Sequence, residues 1–454
     1  MSRRACATLL GTALLTAAAG AQAPSSLRPI QFSDTRLANG LRVIVSEDHF
    51  APVYAIAVSY SVGSKDERPG RTGFAHLFEH MMFKGSDNVG PGEHFFLVFN
   101  NGGSMNGTTN TDRTLYFEVM PRNQLDLGLF LESDRMRSLA ITKENLDNQR
   151  QAVQEERRLR LDNQPYGRSV ERFNELAYDN PAYHHSVIGS MEDLNAATVE
   201  DVASFFRTYY APNNAVVAIV GDVDTKSTLT KVEKYFGNIP RQPSPAPVDL
   251  AEPEMKAERR ETMQDRLARL PQINMGYKIP PATHADWPAL SALAQILGGG
   301  ESSRFYQRLV KTQELCANVS AGSLQRMGPA LFNIVCVVRP GKNIADAEAA
   351  LTDEVARAQT AMVTGDELRR IRSSARRGSV SIRESALARA QSLADNAAIY
   401  NDPNRIDTVN QKVAAVTAED LQRVASRYLQ STNRVVVHTL PAAPQAGAGA
   451  PVAK

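Results

Sequence analysis

At 454 residues the chain exceeds one typical hydrophobic core, so two or more domains are expected. Its composition, 43% hydrophobic and 22% charged, is that of a globular protein. The 51 basic and 49 acidic residues leave a formal charge of +2, which excludes a nucleic-acid or polyanion partner chosen by bulk charge.

The first element is a leader. Met1-Ser2-Arg3-Arg4 is followed by small and apolar residues from Ala5 to Ala19 and by the cleavage pattern Ala19-Gly20-Ala21. This is the three-part layout of a secretory signal peptide over residues 1–21. The apolar run is too short for a comfortable membrane-crossing helix, and Cys6 stands where no lipid attachment is expected. The mature protein is expected to begin near Gln22, to be periplasmic, and to keep no stable membrane insertion after cleavage. Of three cysteines only Cys316 and Cys336 would survive cleavage. That rules out a disulfide framework and a four-cysteine zinc site, and leaves one bridge or two thiols open.

Alternating and β-branched residues predict strands over 41–46 and 53–62. A polar loop over 63–73 leads into a predicted helix over 74–83. Another strand is predicted over 115–119, and helical periodicity dominates 123–161. This mixture predicts an α+β fold in which helices cover a mixed sheet.

A Pro-rich stretch over 240–247 and the charged run over 252–269 lack an apolar period, and 241–261 reads as an interdomain linker. An internal repeat crosses it. Thr198-Val-Glu-Asp-Val and Thr417-Ala-Glu-Asp-Leu stand 219 positions apart, and the same offset pairs Tyr209 with Tyr428, Asn214 with Asn433, and Val216-Val217 with Val435-Val436. Each copy reads as a Thr-capped helix ending at a Tyr, an Asn-containing turn, and a β-rich run. Two tandem homologous domains are therefore expected over 30–240 and 262–440. Gly298-Gly299-Gly300 has no Gly-Lys-Ser/Thr after it and reads as a loop at a helix start rather than a phosphate cradle. The Ala-, Gly- and Pro-rich tail over 441–454 is expected to be disordered.

The chemistry lies in His76-Leu77-Phe78-Glu79-His80. Histidines four apart on a helix share one face, and two neutral imidazoles at that spacing can take adjacent corners of a tetrahedral zinc. Glu79 stands beside that face without having to ligate, which is where a general base must be to deprotonate an attacking water. The order inverts the usual zinc-peptidase motif. With eight histidines in the chain, chance predicts about 0.01 occurrences. A catalytic zinc needs a third protein ligand and an open fourth corner; Glu155 and Glu156 both qualify, and periodicity does not choose between them.

The run from His76 through Met81-Met82-Phe83-Lys84-Gly85-Ser86 resembles the active-site helix of the pitrilysin-type (M16) zinc peptidases, and the two-domain repeat extends the resemblance over nearly the whole mature chain. The resemblance implies a zinc endopeptidase acting on unfolded peptides inside an enclosed chamber. It implies His76, His80 and Glu156 as Zn2+ ligands, the last selected by Val153-Gln-Glu-Glu156, with Glu79 as catalytic base. Where the family usually has an acidic residue two turns before the third ligand, this chain has Gln149. Residues 102–108 resemble the family's edge strand, which implies peptide binding by strand addition. In the second half, the positions implied for an Arg and a Tyr that stabilise the oxyanion hold Val310 and Ala317. The resemblance therefore implies a heterodimer in which a homologous M16-like subunit supplies the Arg/Tyr pair. Arg304, Tyr306 and Arg308 are nearby substitutes. A self-sufficient homodimer and a non-catalytic structural subunit are the alternatives.

Overall fold

A computed structural model describes residues 27–442; the leader, with Cys6, and the tail from residue 443 lie outside the described residues. The fold is α+β, built on two mixed sheets. The first contains β1 (Ser33–Arg36), β2 (Arg42–Glu47), β3 (Val53–Tyr60), β4 (Ser104–Thr109), β5 (Thr114–Pro121) and β6 (Ala215–Gly221), in the spatial order β1-β2-β6-β3-β5-β4. The second contains β7 (Arg259–Asp265), β8 (Gln272–Ile279), β9 (Cys316–Leu324), β10 (Ala330–Val338) and β11 (Arg434–Pro441), in the order β7-β11-β8-β10-β9. β6 runs parallel to β2 and antiparallel to β3, and β11 stands in the same relation to β7 and β8. The second sheet thus repeats five strands of the first in the same order, and β1 is the addition.

The 219-residue offset holds atom by atom. Thr198 and Thr417 each close a capping box with the Asp three residues on, at the start of the helices Val199–Tyr209 and Ala418–Tyr428. Asn214 Nδ2 donates to Tyr209 O at 2.9 Å, and Asn433 Nδ2 to Tyr428 O at 2.8 Å. β6 and β11 begin at 215 and 434, again 219 apart.

Most elements appear near their expected positions, with shifted ends. The helical stretch over 123–161 divides into Leu125–Arg137 and Lys143–Arg157. The break follows from Thr142, whose side chain accepts from Asn145 N and starts a new helix. The end of the charged run read as linker opens β7, an edge strand whose charged residues find opposite charges on both of its faces. Arg259 meets Asp179 and Arg260 meets Glu348. An apolar period is the wrong signal for such an edge, because charge is what keeps it from pairing further. Residues 247–258 have no regular structure but are tied down: Glu252 accepts from Asp179 N and Asn180 N, and pairs with the buried Lys278.

Alternation sorts each sheet into two buried faces. On β3, Tyr54, Ile56 and Val58 face the first half's own helices. Ala55 and Ala57, with Ile44, Val216 and Ala218, face the helix Ala386–Tyr400 from the second half. Its Ala390, Leu393 and Ala394 are fully buried there, and the small side chains let helix and sheet approach closely. Reciprocally, the helix Gly167–Ala177 of the first half packs its Phe173 and Ala177 against Val435 and Val437 of the second sheet. Gly167 and Ala386 are 219 apart, so the repeat-equivalent helices exchange sheets. Burial on both faces explains the continuous apolar reading of β6 and β8.

Candidate metal centre

The helix Phe74–Met81 carries the inverted motif. It follows Gly73, whose φ is +85° and where a Cβ would lie 2.5 Å from Ile188 O, so only glycine fits. Buried Glu67 accepts from Gly73 N at 2.8 Å and Ala75 N at 2.7 Å, satisfying two amides that the first turn leaves unpaired. Phe74, Leu77, Phe78 and Met81 form the buried stripe, with Phe78 stacked on Phe206 and against Tyr210. The opposite stripe presents His76 and His80, ring centroids 4.8 Å apart.

The helix Lys143–Arg157 lies beside the motif helix and brings Glu156 to both imidazoles. Glu156 Oε2 is 3.2 Å from His80 Nε2 and 3.6 Å from His76 Nε2. Glu155 lies on the other side of its helix, 57% exposed and paired with Arg158. Geometry thus separates two residues that periodicity could not.

Two imidazole nitrogens and one carboxylate oxygen, all within 4.8 Å of one another, are the donor set of a catalytic zinc. Electrostatics suit the ion as well. Burial, helped by His80 and Arg160, holds His76 down to about 3, and burial lowers His80 too, so both rings are neutral and able to ligate near pH 7. His76 Nδ1 is buried without a hydrogen-bond partner. Arg160 pairs with the other oxygen of Glu156 at 2.8 Å, which orients that carboxylate.

Glu79 sits beside these three donors and is not one of the group that converges. Burial raises its carboxyl above the usual range, against the Thr109 hydroxyl that donates to Oε2 at 2.5 Å. Gly107 makes room for it: a Cβ there would lie 3.0 Å from Glu79 Cγ. Thr109 and Gly107 both belong to β4, the free edge of the first sheet. Gly107 lay within the stretch expected to be an edge strand, but neither its approach to Glu79 nor the Thr109 hydrogen bond was foreseen, although a glycine inside a strand is a signal of close approach. Next to the site opens a cavity of about 460 Å³ lined by Glu79, His80, Phe83, Phe95, Phe96 and Gln149 among others. Gln149, where an acid was expected, is buried and donates to the Asn148 side chain at 2.5 Å.

In the second half, Val310 packs against the apolar core and Ala317 is exposed on β9. The nearby substitutes are engaged elsewhere. Arg304 donates to Glu367 at 2.6 and 2.9 Å, Arg308 bonds to Glu354 and Asp353, and Tyr306 packs on the core. Cys316 and Cys336 form a disulfide between β9 and β10.

Comparison with known proteins agrees with this fold. Residues 42–189 match the family model described as insulinase, peptidase family M16, and residues 196–375 match the peptidase M16 inactive domain. The zinc protease PqqE of Helicobacter pylori is 31% identical over 409 residues, which cover 89% of this chain and 92% of that protein. A protease from Helicobacter pylori of known crystal structure superposes with a TM-score of 0.87 at 30% identity, covering 91% of this chain and all of that one. The periplasmic protease PqqL of Escherichia coli shares the fold with a TM-score of 0.74 at 18% identity, over 92% of this chain and 50% of that one.

Proposed function

The chain belongs to the M16 peptidase family, and from that premise we propose that it is a zinc-dependent endopeptidase that hydrolyses extended, unfolded peptides. The observation that carries this reading is the convergence of His76, His80 and Glu156 on one point, with the Glu79 carboxylate beside it and an open cavity adjoining. When bound, the metal supplies a Lewis acid that polarises the scissile carbonyl and makes water a competent nucleophile near neutral pH. The chain's own residues do the rest. Glu79, made basic by burial and oriented by Thr109, takes the proton of the attacking water and delivers it to the leaving amine. The free edge of β4 takes the substrate backbone as an added strand, which demands an extended peptide and turns away folded proteins. The phenyl rings of Phe83, Phe95 and Phe96 suit the cavity to an apolar side chain next to the scissile bond.

The oxyanion donors are assigned to a homologous partner subunit carrying an Arg/Tyr pair, which would also close the chamber. Support comes from Val310 and Ala317, which offer no donor, and from the engagement of Arg304 and Arg308 within their own lobe. The matched PqqL chain is twice the span of this one, a size relation that suits an enclosure made of two such units. A periplasmic location is supported by the leader pattern, by the Cys316–Cys336 bridge, which suits an oxidising compartment, and by the periplasmic origin stated for that relative. The test is to measure zinc content and peptide cleavage of the purified chain alone and with the candidate subunit. One zinc per chain is expected, with slow cleavage that rises about 10²–10³-fold when the missing donors arrive. Full-strength cleavage by the chain alone removes the partner requirement, and failure to bind zinc sinks the peptidase reading.

A further inference from the structure

Behind β4 lies a second group of ionisable side chains that the metal chemistry does not use. His94 is on the helix Glu93–Asn100, Glu118 on β5, and Glu132 and Arg135 on the helix Leu125–Arg137; none is more than 4% exposed. His94 Nε2 lies 2.6 Å from Glu118 Oε1, and the His94, Glu118 and Glu132 heteroatoms fall within 4.8 Å of one another. Arg135 Nε donates to Glu132 Oε2 at 3.0 Å, and Nη2 bonds to the other oxygen. The same guanidinium lies over the rings of Tyr116, at 4.5 Å, and Phe83, at 5.2 Å. Glu118 Oε2 and Arg135 Nη1 are buried without partners.

Two features tie this cluster to the site. In the β4–β5 register Met105 opposes Glu118 and Gly107 opposes Tyr116. A Cβ at Gly107 would meet Glu79 Cγ at 3.0 Å and Tyr116 Cδ1 at 3.3 Å, so the ring clasped by Arg135 is the floor beneath Gly107 and Glu79. Charge balance supplies the second argument. Burial holds His94 neutral, down to about 3. One guanidinium and two carboxylates then leave a net negative charge in a dry interior, which is costly. A proton on either carboxyl brings the sum to zero. A divalent cation would instead sit against Arg135, which already neutralises Glu132.

We propose that His94, Glu118, Glu132 and Arg135 are positioning residues that hold one shared proton and, in that state, fix β4 and the Glu79 side of the site against the first sheet. Burial pushes both carboxyls up, Glu132 to about 7. The other titratable groups facing the cluster are Tyr54 and Tyr60 on β3, Tyr116 on β5, and Tyr210; burial keeps all four phenols above their usual range and neutral. Asp126, beyond Tyr54, is paired with Lys231. Because the carboxyl proton held in the fold is released by the unfolded chain near its ordinary value of 4.5, its contribution to stability is full below that value and is lost as pH rises through about 7; His94, held neutral, acts in the opposite sense below its ordinary 6.5, with or without either carboxyl.

The experiment compares the full zinc-loaded chain with Glu118→Gln and Glu132→Gln, in which the cluster is neutral at every pH. Thermal unfolding, hydrogen exchange of β4 amides and KM for an extended peptide are followed from about pH 5 to about pH 9. Across that interval the Tm of the unmodified chain is expected to fall relative to the variants, which keep the His94 contribution, while its β4 exchange, corrected for its intrinsic pH dependence, speeds up and its KM rises by about tenfold. In the variants exchange and KM should flatten, with zinc content unchanged. Parallel curves for all three proteins overturn the proposal, and so does loss of a second equivalent of zinc in a variant, which would make this a metal site. Should both variants fail to fold, infrared spectra of the unmodified chain decide: a protonated buried carboxyl band present at acidic pH and gone at alkaline pH is expected, and its absence throughout refutes the shared proton. The KM readout alone rests on the peptidase reading; Tm, exchange and infrared do not, so failure of one idea is distinguishable from failure of the other.

Discussion

Glu79 and Glu156 are carboxylates on neighbouring helices, and their surroundings divide the labour between them. Glu156 meets both imidazoles and is held by Arg160, whereas Glu79 is half-buried beside them and accepts a hydrogen bond from Thr109. Replacing Glu79 with Gln should therefore leave zinc content intact and lower kcat by about 10²–10⁴-fold, read by metal analysis alongside turnover. His80→Ala and Glu156→Gln should lose the metal and the activity together, while Glu155→Gln, at a solvated ion pair, should change neither. Turnover surviving in Glu79→Gln would refute the base assignment. Gly107→Ala presses a methyl against Glu79 Cγ without touching the ligands; zinc retained with kcat down about ten- to a hundredfold is the expected result. The motif was legible from residue types at fixed spacing, and so was the role proposed for it. The choice of Glu156 over Glu155 was not legible from spacing, because both fit a helix and only packing against Phe74–Met81 decides which one faces inward.

Elements near the site owe their position to local rules that sequence carries well and to edges that it carries poorly. Thr142, Thr198 and Thr417 each begin a helix by accepting from the amide three residues on. β4 and β7 are edge strands of largely polar residues, and the single Met that each packs on a core is too little to mark a strand. β4 was found through family likeness and β7 was taken for linker. The Cys316–Cys336 bridge fastens another edge strand, β9, to β10 and closes a loop of sequence separation 20. Substituting both cysteines with Ser should lower unfolding free energy by about 2–4 kcal/mol in a urea titration. An unchanged midpoint would mean that the bridge adds no stability to this hairpin.

Across the whole molecule the exchanged helices Gly167–Ala177 and Ala386–Tyr400 make each half part of the other's core. Gly276 on β8 marks how closely they meet, since a Cβ there would lie 2.4 Å from Phe173 Cζ. Gly276→Ala should cost about 1–3 kcal/mol by overpacking. Because the core is shared, thermal unfolding of the zinc-free chain should remain a single transition that shifts as one. Two separable transitions, with only the second half destabilised, would show that the lobes fold independently. The metal site gains from this coupling, for Arg113, just beyond β4, pairs with Asp395 on the exchanged helix at 3.0 Å.

Sequence by itself determined the α+β class, the tandem repeat with its offset of 219, and the helix that presents His76, Glu79 and His80, because these follow from periodicity and capping, which act over a few residues. Family likeness had named Glu156, and the tertiary structure brings it to the histidines; only the tertiary structure decided which half covers which sheet, that Cys316 and Cys336 meet, and that His94, Glu118, Glu132 and Arg135 share one dry pocket. Those outcomes depend on contacts between segments far apart in the chain. No local preference encodes such contacts until burial brings the segments together.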